Sequence, residues 1–144
     1  MLIRQAVLGD LESCIPLFFE FNSRYKVPET DFNVETVTHT AKLILGSHLM
    51  MVIDDNGIQG GIAGLILPSL FGSDVFFQEL MFFVRKEHRR HTVRLLRETE
   101  DICKVEGINK VILGHFDYEK DKIKKFYGLM GYTYLETQYI KRLI

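Results

Sequence analysis

The sequence predicts a three-layer α+β fold: a mixed, mostly antiparallel sheet of about seven strands with one parallel pair, in the order β-α-α-β-β-β-α-β-α-β-β. Three features point to it. The run Phe76-Phe77-Gln78-Glu79-Leu80-Met81-Phe82-Phe83-Val84 is largely apolar and aromatic and lacks Gly and Pro, as a strand covered on both faces would be. Downstream, Leu95, Leu96, Thr99, Ile102 and Cys103 recur at helical spacing until Gly107, and Lys110–Leu113 is apolar again, so a helical crossover sets these two strands parallel. Upstream, Leu49–Ile53 and Gly60–Leu67 meet through Asp54-Asp55-Asn56-Gly57, a hairpin signature that makes neighbouring strands antiparallel.

A chain of 144 residues is one domain, residues 1–144, long enough for a core of its own. The hydrophobic fraction of 47% argues against disorder. Lys and Arg number 18 against 19 Asp and Glu, a formal net charge of -1, so no overall basic field speaks for nucleic acid. The chain has no apolar run long enough to span a membrane, and Arg4 and Asp10 sit where a signal peptide would be apolar, so a soluble, cytoplasmic protein is expected. Cys14 and Cys103 fall on apolar helix faces and read as reduced core thiols. His39, His48 and His115 show no ligand spacing, and no metal is expected.

In chain order, Leu2–Ala6 alternates as a short strand, and Leu11, Cys14, Ile15, Phe18 and Phe21 mark a helix capped by Asp10. Asn22 to Asn33, with Pro28, reads as a loop, its exposed candidates Arg24, Tyr25, Lys26 and Glu29. Asn33 caps a second helix with Val34, Val37, Ala41, Ile44 and Leu45 inward, ending at Gly46. The hairpin follows; Gly60, Gly61 and Gly64 weaken its second strand, and Pro68 ends it. After the Ser69–Asp74 turn come the central strand, its helix and the parallel strand. Asp121–Met130 is a short helix with Ile123, Phe126, Tyr127 and Met130 inward, ended by Gly131. Tyr132–Leu135 and Gln138–Leu143 close the chain as strands.

Between the central strand and its helix lies Arg85-Lys86-Glu87-His88-Arg89-Arg90-His91. A strand feeding a helix through a cationic turn brings main-chain N–H groups, a helix dipole and side-chain charge to one point, an anion site suited to phosphate. This turn, the element order and the tail Phe126-Tyr127-Gly128-Leu129-Met130-Gly131-Tyr132 together resemble the GNAT superfamily of N-acetyltransferases over essentially the whole chain. In that family the turn carries Arg/Gln-x-x-Gly-x-Gly/Ala, which falls here on Arg89, Thr92 and Arg94, so both glycine positions hold other residues.

The resemblance implies a sheet that splays where its parallel strands part, with acetyl-CoA as co-substrate in the opening. It places the pantetheine arm along Phe82, Phe83 and Val84, and the phosphates at Arg89, Arg90, His91, Thr92, Val93 and Arg94, with His88 and Arg85 nearby. Lys120 stands where the family often has an asparagine toward the pantetheine. Tyr127 matches the family's general acid, and a phenol of pKa near 10 suits a departing thiolate; the alternative is an aromatic core residue. Glu79 is the candidate general base, with Gln78 and Asp117 as outer contacts, because a carboxylate on an apolar strand is costly unless paired or used; the alternative is an edge or ion-paired residue.

The leading expectation is an N-acetyltransferase moving acetyl from acetyl-CoA to a primary amine by direct attack in a ternary complex. The acceptor would be a small molecule or peptide, without nucleic acid or membrane, and the apolar C-terminal strands suit a homodimer. The second reading is a catalytically silent domain of the same fold that binds acyl-CoA or a protein. A nucleic-acid module built on Arg85–Arg97 is a third and poorer fit, since no aromatics interleave those basic residues.

Overall fold

A computed structural model describes residues 1–25, 31–116 and 120–144. β1 (Leu2–Gln5) leads through a 3-10 turn, Leu8–Asp10, into α1 (Leu11–Tyr25). Asp10 does not cap α1. Its carboxylate accepts the Val7 N–H (2.8 Å) at the start of the 3-10 turn and is gripped by both terminal nitrogens of Arg4 (2.8 and 2.9 Å), whose Nε reaches Asp54 (3.1 Å). α1 also overruns the loop expected from Asn22, because Phe18, Phe21 and Tyr25 prolong its apolar stripe. α2 (Val34–Ser47) is capped by Asn33 as expected, its Oδ1 accepting the Thr36 N–H at 2.9 Å.

The sheet is a run of neighbours: β1, β2 (Leu49–Asp54), β3 (Ile58–Pro68), β4 (Val75–Val84) and β5 (Lys110–Ile112). The first three pairings are antiparallel, and β4 with β5 is parallel. Asn56 (φ 55) and Gly57 (φ 115) make the β2–β3 turn, as Asn-Gly requires. α3 (Thr92–Val105) is the crossover from β4 to β5, and α4 (Lys120–Leu129) follows.

Among the described residues five strands form, not about seven. Tyr132–Leu135 and Gln138–Leu143 are not strands, and every residue from 133 to 144 is exposed. Strand propensity acts only through an edge to pair with and a face to bury, and β5 offers an edge of just 3 residues.

The layers follow from two cores. On one face α1 and α2 bury Cys14, Leu17, Ile44 and Leu45 against Met50, Val52, Ala63, Met81 and Phe83. On the other, α3 buries Leu95, Leu96 and Cys103 against Met51, Ile53, Ile62, Phe77 and Val84, with Phe126, Met130 and Tyr132 packed at its margin.

One irregularity sits at the centre of β4. Ala63 pairs with Met81 and Gly64 with Glu79, so Leu80 is an extra residue. A one-residue insertion exchanges the faces of everything after it: Phe77 lies on the α3 face, yet Met81 and Phe83 lie on the α1–α2 face and Phe82 and Val84 on the α3 face. Gly64 permits the bulge. A Cβ there would stand 2.2 Å from the Gln78 carbonyl oxygen and 2.9 Å from Phe77. The glycines therefore accommodate close strand contact in an unbroken β3. Gly64→Ala is expected to destabilise the fold by about 3 kcal/mol, read as a lower urea midpoint with an unchanged slope.

Candidate functional site

β4 and β5 pair only from Phe76 with Lys110 to Gln78 with Ile112. Past Gln78 the strands part, and among the described residues the β4 edge from Glu79 to Val84 has no strand beside it. Alternate residues of a strand direct their N–H and C=O to a given side, so this stretch presents main-chain groups to whatever lies in the gap. The bulge falls at the same level.

Gly114, just beyond β5, holds the two candidate catalytic residues together. Its N–H donates to Glu79 Oε2 (3.0 Å), and its carbonyl accepts the Tyr127 hydroxyl (2.8 Å). One residue of the parallel strand's exit thus links a side chain from β4 to one from α4. Glu79 is half-buried with protein packed about its carboxyl, and burial pushes its pKa up to about 7 against the opposing pull of the Gly114 amide. Tyr127 is pushed well above 10, first by burial and then by the charges of Glu79 and Tyr25, so its hydroxyl keeps its proton at neutral pH.

Aromatic rings wall the gap toward α1. Tyr25 stacks on Phe116 (centroids 5.5 Å, 22°) and meets Phe83 edge-on (6.4 Å, 90°), while Phe21 lies 4.9 Å from Tyr25. These contacts tie the end of α1 to the segment leaving β5 and so fix both banks of the opening.

A cleft of about 730 Å³ runs from Tyr127 to the start of α3. Phe82, Val84, Ile123 and Phe126 supply apolar lining, and Arg89, Thr92, Val93, Lys120 and Lys122 lie toward its charged part, with Arg24, Tyr25 and Asp121 also on the wall. The basic turn is a 3-10 helix, Lys86–His91, that runs straight into α3. No residue in it has positive φ, and Thr92 is helical (φ -59, ψ -45) with its N–H donated to the Arg89 carbonyl. Glycine is therefore not needed for the backbone path, and side chains at 89 and 92 take the cleft-facing positions.

The structure separates the expected phosphate ligands. Arg89, Thr92, Val93 and Lys120 line the cleft with Phe82 and Val84. Phe83 faces the α1–α2 core because of the bulge. Arg94 is bound to Glu98 one turn on (2.7 Å), Arg90 Nη1 reaches the Glu87 carbonyl (3.5 Å), and His91, its pKa lowered first by burial and then by Arg90, is not part of the cleft lining. Arg85 belongs to the scaffold: it grips Glu20 of α1 (2.6 Å) and donates to the Ile58 carbonyl (3.2 Å). His88 bonds Asp55 of the hairpin (2.9 Å). Asp117, Lys26 and Glu29 lie outside the described residues, and Gln78 Nε2 makes a long contact to the Glu79 carbonyl (3.5 Å).

Sequence reasoning missed Gly114 and Lys122, and did not see the bulge. Gly114 acts through its main chain, which no side-chain motif signals. Among the described residues no group of His, Cys, Asp and Glu gathers as for a metal, and no helix is long and apolar enough to cross a membrane. His48 is spoken for, its Nδ1 accepting the Ile66 N–H (3.0 Å).

Many solved structures share this fold. A ribosomal-protein-alanine N-acetyltransferase from Brucella melitensis biovar Abortus 2308 is similar with a TM-score of 0.73 at 17% identity, covering 99% of this chain and 100% of that one. An aminoglycoside acetyltransferase from an uncultured soil metagenomic sample, in complex with sisomicin, has a TM-score of 0.78 at 15% identity over 99% and 96%. The chain has the GNAT acetyltransferase fold. A probable acetyltransferase superposes with a TM-score of 0.79 at 14% identity over 100% and 99%. Neither a protein-family profile nor a curated protein matches the sequence. At these identities the likeness concerns the GNAT fold and not the substrate.

Proposed function

We propose that the protein is an acetyl-CoA-dependent N-acetyltransferase acting on a primary amine by direct attack in a ternary complex. The observation that carries this reading is the Gly114 link: it sets a carboxylate of pKa about 7 and a protonated phenol on either side of one peptide where the parallel strands part, the Tyr127 side lining the cleft and Glu79 lying behind the peptide, outside the lining. The fold of the solved acetyltransferases supports it.

The residues present fit acetyl-CoA. The parted edge of β4 can pair with an amide-bearing arm, Phe82, Val84 and Phe126 can cover its methylenes, and Arg89, Thr92, Lys120 and Lys122 can meet phosphate oxygens. Bound there, acetyl-CoA would supply an activated acetyl thioester. Glu79 would take the proton from the acceptor ammonium, for which a pKa near the working pH is the best compromise between being ionised and being basic. Tyr127 would give its proton to the departing sulfur, then recover one from solvent or from the acceptor's side. Main-chain N–H groups of the parted β4 edge would polarise the thioester carbonyl.

Two arginines separate ligand from scaffold. Arg89→Ala is expected to raise KM for acetyl-CoA about tenfold, the loss of one charge-assisted contact, with little change in Tm. Arg85→Ala is expected to do the reverse, costing about 2 kcal/mol of stability through the stranded Glu20 and Ile58 partners and leaving KM within about twofold. The activity itself is tested by titrating acetyl-CoA into the protein by calorimetry and then assaying free thiol release across an amine panel. Binding with amine-dependent release is expected; binding with no release for any amine would favour the catalytically silent reading.

A further inference from the structure

The basic turn before α3 sorts its side chains by rotation. A 3-10 helix has about three residues per turn, so side chains three apart lie above one another and neighbours point about 120° apart. Arg89 and Thr92 share the line that faces the cleft. Arg85, at the N-cap, and His88 share another, and both reach the β2–β3 hairpin. Arg85 donates to the Ile58 carbonyl (3.2 Å) and Gln59 Oε1 (3.1 Å), and His88 Nε2 bonds Asp55 Oδ2 (2.9 Å). Holding one line against the hairpin therefore decides where the other points.

Asp55 is well braced for this. Its N–H donates to the Gly57 carbonyl (2.9 Å) and its carbonyl accepts Gln59 Nε2 (3.1 Å). The His88 bond holds its carboxyl below the usual carboxylate range, so the pair is charge-assisted. His88 itself hangs on that bond, because its Nδ1 is buried and finds no hydrogen-bond partner among the described residues. A buried nitrogen without a partner costs free energy, so an imidazole is a poor choice at this place for stability alone. From Arg85 to Arg94 the turn holds no glycine, which leaves phosphate contact to side chains whose aim depends on how the helix is rotated.

Resting on the acetyl-CoA reading of the cleft, we propose that Asp55 and His88 are positioning residues: through their bond the hairpin sets the rotation of the 3-10 helix and aims Arg89 and Thr92 at the cofactor's phosphates. The Arg85 side chain does not share the task. Its main-chain N–H stays bonded to the Gln59 carbonyl (3.0 Å) whatever side chain it carries, and the turn that follows is left to His88.

Calorimetric titration of CoA, beside steady-state kinetics with acetyl-CoA, tests this. His88→Ala and Asp55→Ala are each expected to raise Kd for CoA and KM for acetyl-CoA about fivefold, with kcat within about twofold and circular dichroism unchanged. The double variant should be no worse than either single one, and in an Arg89→Ala background His88→Ala should add less than about twofold, since the effect passes through Arg89. His88→Gln, with a nitrogen donor at similar reach, should recover most of the affinity. A merely structural contact would behave like Arg85→Ala, lowering stability with Kd unmoved. That outcome overturns the proposal, as does an undiminished loss from His88→Ala once Arg89 is gone. A wild-type chain that binds no CoA would strike the acetyltransferase reading and this inference together, whereas wild-type binding indifferent to Asp55 and His88 strikes this inference alone.

Discussion

Tyr127→Phe is expected to lower kcat for acetyl transfer by about 100-fold or more, with KM for acetyl-CoA changed by no more than about twofold. The substitution keeps the ring that packs between Phe126 and Tyr132 (centroids 5.9 and 6.0 Å) and removes only the oxygen bonded to Gly114. If that oxygen delivers a proton to the departing sulfur, its loss falls on the chemical step. If it merely anchors α4 to the exit of β5, the cost is about 1 kcal/mol of stability and kcat is spared. Steady-state kinetics beside a urea melt tells the two apart, and undiminished kcat would remove Tyr127 from the mechanism.

Glu79→Gln is expected to move activity and stability in opposite directions. In the wild type, kcat/KM should rise with pH through about 7 as the carboxyl ionises; the variant should lose that limb along with about 100-fold or more of its rate. Stability follows from the same pKa. A carboxyl of pKa about 7 in the fold, against an ordinary value of 4.5, holds more protons folded than unfolded between those pH values. Wild-type stability therefore falls as pH rises through that window, and the ionised group costs about 1–3 kcal/mol above it. Gln cannot ionise, so the variant should be the more stable protein at pH 8 and show no such decline. A pH series of urea midpoints reads this directly, and parallel curves for the two proteins would mean that Glu79 titrates like an exposed carboxylate.

The contrast between Arg85 and Arg89 shows where sequence reading stops. Both belong to one basic run, and nothing local distinguishes them. Arg85 is committed because α1 brings Glu20 and β3 brings Ile58 within reach, and Arg89 faces the cleft because the 3-10 helix turns it there. Phe83 is a similar case: counted by alternation from Phe77 it would share the α3 face, and the bulge puts it on the α1–α2 face instead. Gln138–Leu143 failed as a strand for the opposite reason, since its composition was correct and no strand among the described residues pairs with it.

Periodicity and turn chemistry were enough by themselves to determine the order of elements up to α4, the parallel crossover and the Asn-Gly hairpin, because each depends on residues close in the chain. Only the tertiary structure decided the bulge at Leu80, the peptide of Gly114 that joins Glu79 to Tyr127, which cations reach the cleft and how many strands the described residues form. Those depend on what distant segments place beside a residue, and main-chain groups, the same at every position, leave no mark in the sequence of where they will be used.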